Sequence, residues 1–271
     1  MAKYKKKRAR ELQHDKFRDT AGKIFDRLSD RLEGKGKAIL YGIAGVVLLA
    51  LVVGVFVKWN NRKSDEARRA LGRAIAIATA PVSSDPTSPN PTGLTFTNER
   101  ERSQKAIEEF QKVAAKYGDP YRTEARYFIA TNLLVIDRDK AETELTELTK
   151  AGVVEAATLA KFALAQAKEE DGKYDEAARL YMELAALNST VVTPDTANLQ
   201  LAKVYEKQGK KKEAADLLFN IVDASRKAKD TDGTPIPPSA AARDAAEKLQ
   251  KIDPERYAKL TPETSGADLP F

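Results

Sequence analysis

Catalysis needs convergent polar groups, and this chain of 271 residues offers few of them. Its single histidine is His14 and cysteine is absent, so no histidine-based triad, thiolate nucleophile or thiolate metal site can form beyond the N-terminal segment. Carboxylates remain. Glu142, Glu144 and Glu147, and the run Glu169-Glu170-Asp171, have the residue types of an acid/base pair. They lie on amphipathic helical stretches, where such clusters form a solvated face. Asp230-x-Asp232-Gly233 opens like a calcium loop but lacks the closing glutamate. The stretch EGKGKA at 33–38 lacks the span of a phosphate loop. Asn188-Ser189-Thr190 matches a glycosylation sequon, which has meaning only in a eukaryotic secretory pathway. The expectation is a non-enzymatic protein with no cofactor and no metal site.

The elements that would carry these side chains are helices. From residue 58 onward the chain is rich in Ala, Leu, Glu and Lys, strand signals are absent, and apolar residues recur at helical steps. Four segments align on an alanine, at Ala106, Ala141, Ala177 and Ala214, with intervals of 35, 36 and 37 residues. A large side chain follows each alanine by four residues: Phe110, Leu145, Tyr181 and Leu218. Three of the four are preceded by another helix of about a dozen residues, as in NLQLAKVYEKQGKKKEAADLLFNIV. Small residues suit places where two helices approach closely; the large ones fill the space between a helix and the next pair.

This pattern resembles the tetratricopeptide repeat, a helix-turn-helix unit. The resemblance is good in the last two units. It is fair at 122–150, where Ile136 stands in place of the turn glycine. In the first unit the helix SDEARRALGRAIAIAT is split from its mate by the proline-rich stretch 81–98, read as a mobile loop. Asn98 with Glu101 forms a capping box, YGDP at 117–120 and KAG at 150–152 stop helices, and Thr193-Pro194 starts one. Residues 239–251 read as a capping helix, Asp253-Pro254 begins a short helix, and 265–271 form a disordered tail.

Such an array offers a concave groove lined by first helices. In this register the inward candidates are Arg126 and Ala130, Phe162 and Gln166, and Leu199 and Lys203. The alternative for several of the six is packing between helices. The lysine and asparagine that clamp a terminal carboxylate in the chaperone-binding class of these repeats are absent from the three pairs.

Ahead of the repeats, Ala38 to Val57 is a run of twenty residues without a charge. As a helix it is about 30 Å long, the thickness of a bilayer's hydrocarbon core. Tyr41 and Trp59 suit its two interfaces. A cleaved signal has a shorter apolar region and a shorter leader, so the run reads as an uncleaved transmembrane helix. Ala38 with Gly42, and Ala50 with Gly54, are small-residue pairs that permit close packing of a membrane helix. Residues 1–37 hold 13 basic against 6 acidic groups, and 58–271 hold 33 against 34. The net charge of +6 therefore comes from the leader, and no nucleic-acid partner is expected for the repeat domain. The basic leader places the N-terminus inside, with the repeats outside the cytoplasm. Its stripe of Phe17, Ala21, Ile24, Phe25, Leu28 and Leu32 either lies on the anionic leaflet or merely belongs to a solubilising leader.

The expected fold is all-α: a leader at 1–37, a transmembrane helix at 38–57, a TPR-like repeat domain at 58–252, and a short helix and tail at 253–271. This order, with the membrane exit FVKWNNRKSDEA, resembles the ancillary SecYEG translocon subunit family over about 35–252. The long leader and the insert at 81–98 depart from it. The resemblance implies a single-pass protein of the bacterial inner membrane whose periplasmic repeats bind translocon subunits, periplasmic chaperones or exported chains. A structural scaffold of the cell envelope, formed by self-association or by bridging to partners, is the alternative.

Overall fold

The computed structural model describes residues 62–83 and 93–262. The leader, the apolar run with Ala38, Gly42, Ala50 and Gly54, and the tail from 263 lie outside the described residues. Among the described residues no helix is long and apolar enough to cross a membrane. The chain divides into a unit of Met1–Ser64 and one of Asp65–Phe271, and the second contains the repeats.

Helical periodicity without strand signals produces helices throughout; the described residues contain two isolated β-bridges and no strand. α1 covers 62–78. It is followed by α2 (Glu99–Lys116), α3 (Tyr121–Ile136), α4 (Arg138–Leu148), α5 (Val154–Glu170) and α6 (Tyr174–Ala186). Then come α7 (Pro194–Lys207), α8 (Lys211–Lys227), α9 (Ala240–Ile252) and the single turn α10 (Pro254–Tyr257). Odd-numbered helices up to α7 are the first members of hairpins, even-numbered ones the second. Within a hairpin the helices run antiparallel: Lys161 of α5 meets Glu183 of α6, while Lys168, two turns further on, meets Glu176. Successive odd-numbered helices run parallel, since the ends of α5 and α7 meet through Glu169 and Lys207, and the ends of α7 and α9 through Glu206 and Lys248.

Local sequence sets the boundaries. The Asn98 side chain accepts from the Glu101 amide at 2.9 Å, and the Glu101 carboxylate reaches back to the amide and hydroxyl of Thr97. The expected capping box thus forms with its return bond one residue earlier. Thr193 caps α7 and Ser239 caps α9 by accepting from the amide three residues on. Gly172 and Gly209 turn the last two hairpins with φ of 74° and 77°, a left-handed conformation that favours glycine. The 122–150 unit dispenses with that turn. α3 ends at Ile136, and Asp137 alone connects it to α4 while capping the Lys140 amide.

Each core belongs to one hairpin and the helix after it. Ala106, Ala141, Ala177 and Ala214 are all fully buried, as are Phe110, Leu145, Tyr181 and Leu218 four residues later. Phe110 stacks on Phe128 of the next unit with ring centroids 4.9 Å apart. Tyr181 and Leu184 of α6 share a cluster with Ala197, Leu201 and Val204 of α7. A TPR-like array with a core running unit to unit follows directly.

Two details concern the boundaries of the array. The packed region runs past 252, because α10 and Leu260 join the cluster formed by α7, α8 and α9. Arg226 of α8 holds them there through Tyr257 and the Thr261 carbonyl. The insert at 81–98 is pinned where it leaves and re-enters the array. Val82 pairs with Phe96, through Ser83 donating to the Phe96 carbonyl and Phe96 donating to that of Pro81. Residues 84–92 lie outside the described residues.

Candidate protein-binding surface

First helices place the six candidate residues, and their fates differ because each helix buries one side against its own mate and another against the next unit. Ala130 is fully buried in the cluster that joins α3 and α4 to α5. Leu199 is buried in the cluster joining α7 and α8 to α9. Neither can touch a partner, and both leave the candidate set: the following hairpin covers the side of the helix on which they sit. Arg126 is committed within its own hairpin, where Nε meets Glu144 at 2.6 Å and a terminal nitrogen meets Glu147 at 3.1 Å. Its bond to the Glu144 carboxylate raises its affinity for the proton further.

Phe162 is half-buried, its ring set edge-on to Tyr181 at 5.9 Å. The rest of the side chain is partly accessible. Gln166 is exposed and Lys203 is half-exposed, and neither side chain is engaged by a neighbour among the described residues. These two occupy equivalent places on successive first helices, 37 residues apart, the same interval as from Ala177 to Ala214. The surviving candidate surface is therefore an aromatic edge, an amide and an ammonium group distributed over α5 and α7. It can offer donors and one flat apolar contact to an extended segment.

Electrostatics surrounding this surface come from a row of ion pairs, where the sequence alone suggests a solvated face. Lys168 lies between Glu142 of the preceding unit at 2.7 Å and Glu176 of its own at 3.2 Å. Hydrogen bonding to Glu142 raises the Lys168 pKa. Arg138 at the start of α4 clasps the end of α5, meeting Asp171 at 2.6 Å, Glu170 at 3.1 Å and the Ala167 carbonyl at 2.7 Å. Asp171 titrates below the ordinary carboxylate value; burial works against that, but the bond from Lys173 and the charge of Arg138 outweigh it. Further along, Lys207 donates to Glu169 at 2.8 Å and Lys248 to Glu206 at 2.9 Å. The buried Tyr181 phenol donates to the same Glu169, and desolvation together with that carboxylate pushes its pKa well up.

The carboxylate clusters are thus neither acid/base pairs nor merely solvated faces. They join units. The sequence does carry a signal for this: Glu169 and Glu206 are 37 residues apart, so they recur with the repeat, and each faces a lysine toward the end of the next odd-numbered helix. Asp230 uses its carboxylate to accept from the amides of Asp232 and Thr234, closing a turn rather than a calcium loop. Among the described residues no group of acidic side chains and histidine is arranged to hold a metal ion.

No protein-family model matches the chain, and no curated protein does. Among solved structures, it is similar to the crystal structure of a Podosopora anserina protein described as a kinesin light chain with nearly identical TPR-like repeats. The likeness has 16% identity and a TM-score of 0.48, and covers 69% of this chain and 85% of that one. A form of the same protein carrying one substitution gives 16% and 0.48 again, with 69% and 84% covered.

Proposed function

We propose that this chain is a non-enzymatic, single-pass membrane adaptor whose repeats bind proteins on the extracytoplasmic side of a bacterial inner membrane. Repeat arrays of this kind generally mediate protein–protein interaction through their extended concave surfaces. The observation that carries the proposal is an order: an uncharged run of twenty residues ends at Val57, and helical repeats begin by residue 62. Anchoring matters to such a surface. Tethered near its partners, a groove of modest affinity works at high effective concentration. Phe162, Gln166 and Lys203 are the residues assigned to contact the partner, and translocon subunits, periplasmic chaperones or newly exported chains are its proposed identity.

The test is purification of the full chain from its own membranes in mild detergent, with co-purifying proteins identified by mass spectrometry. The Gln166→Ala/Lys203→Glu variant runs beside it. Recovery of translocon subunits or periplasmic chaperones by the parent chain, and their loss from the variant, supports the adaptor at this surface. Recovery of the protein alone, or of an envelope assembly unconnected with export, rejects the translocon assignment and leaves a scaffold.

A further inference from the structure

Three helices of the array end in a left-handed residue: Gly172 after α5, Asn188 after α6 and Gly209 after α7, with φ of 74°, 49° and 77°. At the two glycines the next amide is tied back into the helix. Lys173 donates to the Lys168 carbonyl at 2.8 Å and Lys210 to the Tyr205 carbonyl at 2.9 Å, the closing bond of a helix that stops at glycine. After Asn188 that bond is missing. The Leu184 carbonyl accepts from Leu187 at 3.1 Å, and the Ser189 amide donates to no acceptor among the described residues. The Asn188 side chain is exposed and has no partner among them either. Residues 188–191 are held by one hydrogen bond, from the Val191 amide to the Ser189 hydroxyl at 3.1 Å, and the chain regains the core at Val192.

The other described asparagines are fixed. Asn98 caps α2, its Oδ1 accepting from the Glu101 amide and its Nδ2 donating to the Thr97 hydroxyl. Asn132, Asn198 and Asn220 lie inside α3, α7 and α8, where the amide that follows each belongs to the helical ladder. We infer that Asn188 is a self-modifying site, whose side-chain amide is converted to a carboxylate through a cyclic imide. The Ser189 amide nitrogen, deprotonated by hydroxide, attacks Cγ of Asn188. The bond between that nitrogen and Cγ forms, the Cγ–Nδ2 bond breaks, and Nδ2 leaves as ammonia with a proton from water. Water then adds to either carbonyl of the five-membered ring and opens it to aspartate or isoaspartate. Nothing is oxidised or reduced. The small Ser189 side chain leaves its nitrogen approachable, and no helical bond has to break first. The product places a negative charge in a stretch that has none, since Leu184 to Pro194 holds no charged residue. Isoaspartate also adds a methylene to the main chain that joins α6 to α7. The inference depends on neither the anchor nor the partner proposed above.

The test holds the full chain in mildly alkaline buffer, folded in dodecyl maltoside and denatured in guanidinium chloride, and follows tryptic peptides by tandem mass spectrometry. The peptide Leu180–Lys203 carries both Asn188 and Asn198, so one fragment supplies site and control. Folding is expected to slow the exchange of NH for oxygen at Asn188 by less than about threefold, and at Asn132, Asn198 and Asn220 by about tenfold or more, because a helical amide reacts only after local opening. Isoaspartate should accompany aspartate at 188. No conversion at Asn188, or slowing there as large as at Asn198, overturns the inference. Aspartate without isoaspartate overturns it too, because direct hydrolysis of the side chain makes no isoaspartate. Ser189→Pro, shown to be folded by circular dichroism, has no amide hydrogen at 189 and should lose the conversion; persistence there would reject the Ser189 nitrogen as the nucleophile.

Discussion

Replacing Lys168 with methionine tests whether the inter-unit ion pairs hold the array together. The Lys168 and Glu142 side chains are 16% and 17% exposed, so the pair is largely withdrawn from solvent without being sealed. Removing one partner of a fully buried pair costs about 3–5 kcal/mol, and of an exposed pair about 0–1 kcal/mol. Lys173 stands 3.7 Å from the other oxygen of Glu142 and would compensate part of the stranded charge. Lys168→Met is therefore expected to cost about 2 kcal/mol. With a urea m-value of about 2 kcal/mol/M, the midpoint would fall by about 1 M. The assay is far-ultraviolet circular dichroism of the full chain in dodecyl maltoside across a urea series. Glu142→Leu/Lys168→Met removes both charges, and replacing a paired set with apolar groups is close to neutral, so the double variant should recover more than half of the loss. A single variant within about 0.2 M of the parent would refute the view that this pair stabilises the contact between units. A double variant no better than the single would assign the cost to the lysine stem's packing.

Gly209→Ala isolates the backbone requirement of a hairpin turn. An added Cβ meets nothing within 4 Å, so the whole cost comes from the φ of 77°, about 1 kcal/mol, read as a midpoint shift of about 0.5 M urea. An unchanged midpoint would mean that the turn can adopt another path, as the unit with Ile136 does. Acid should also destabilise the array. Glu101, Glu108, Asp137 and Asp171 have pKa values lowered on folding, so their contribution is complete above the unfolded values and is lost as pH falls through the folded ones. Asp195, whose pKa is raised by burial, opposes them: its charge costs stability at neutral pH, and acid relieves that cost. Four against one, the urea midpoint should decline from pH 5 toward pH 3; a flat or rising profile would contradict the assignments.

What was legible in the sequence was whatever the repeat requires in every copy. Ala177 and Tyr181 repeat as Ala214 and Leu218 because two helices must touch at the alanine and fill a gap at the large residue, and all four are buried. The surface was harder to read. Arg126, Phe162 and Leu199 hold equivalent places in successive units, yet one is tied to Glu144 and Glu147, one leans on Tyr181, and one is buried beneath α9. A helix position fixes direction, but what lies in that direction depends on the neighbour, and the neighbours differ in length and turn. The unit at 122–150 shows this plainly: with Asp137 replacing a glycine turn, α4 starts early enough for Arg138 and Glu142 to reach the end of α5. In the next unit that task passes to the first helices, through Glu169 and Lys207. The identity of the residues that join units therefore follows the turn chemistry, while the hydrophobic register continues unchanged beneath it. For the same reason Gln166 and Lys203 stand out as candidates: they recur with the repeat, sit on first helices, and are claimed neither by a core cluster nor by an ion pair among the described residues.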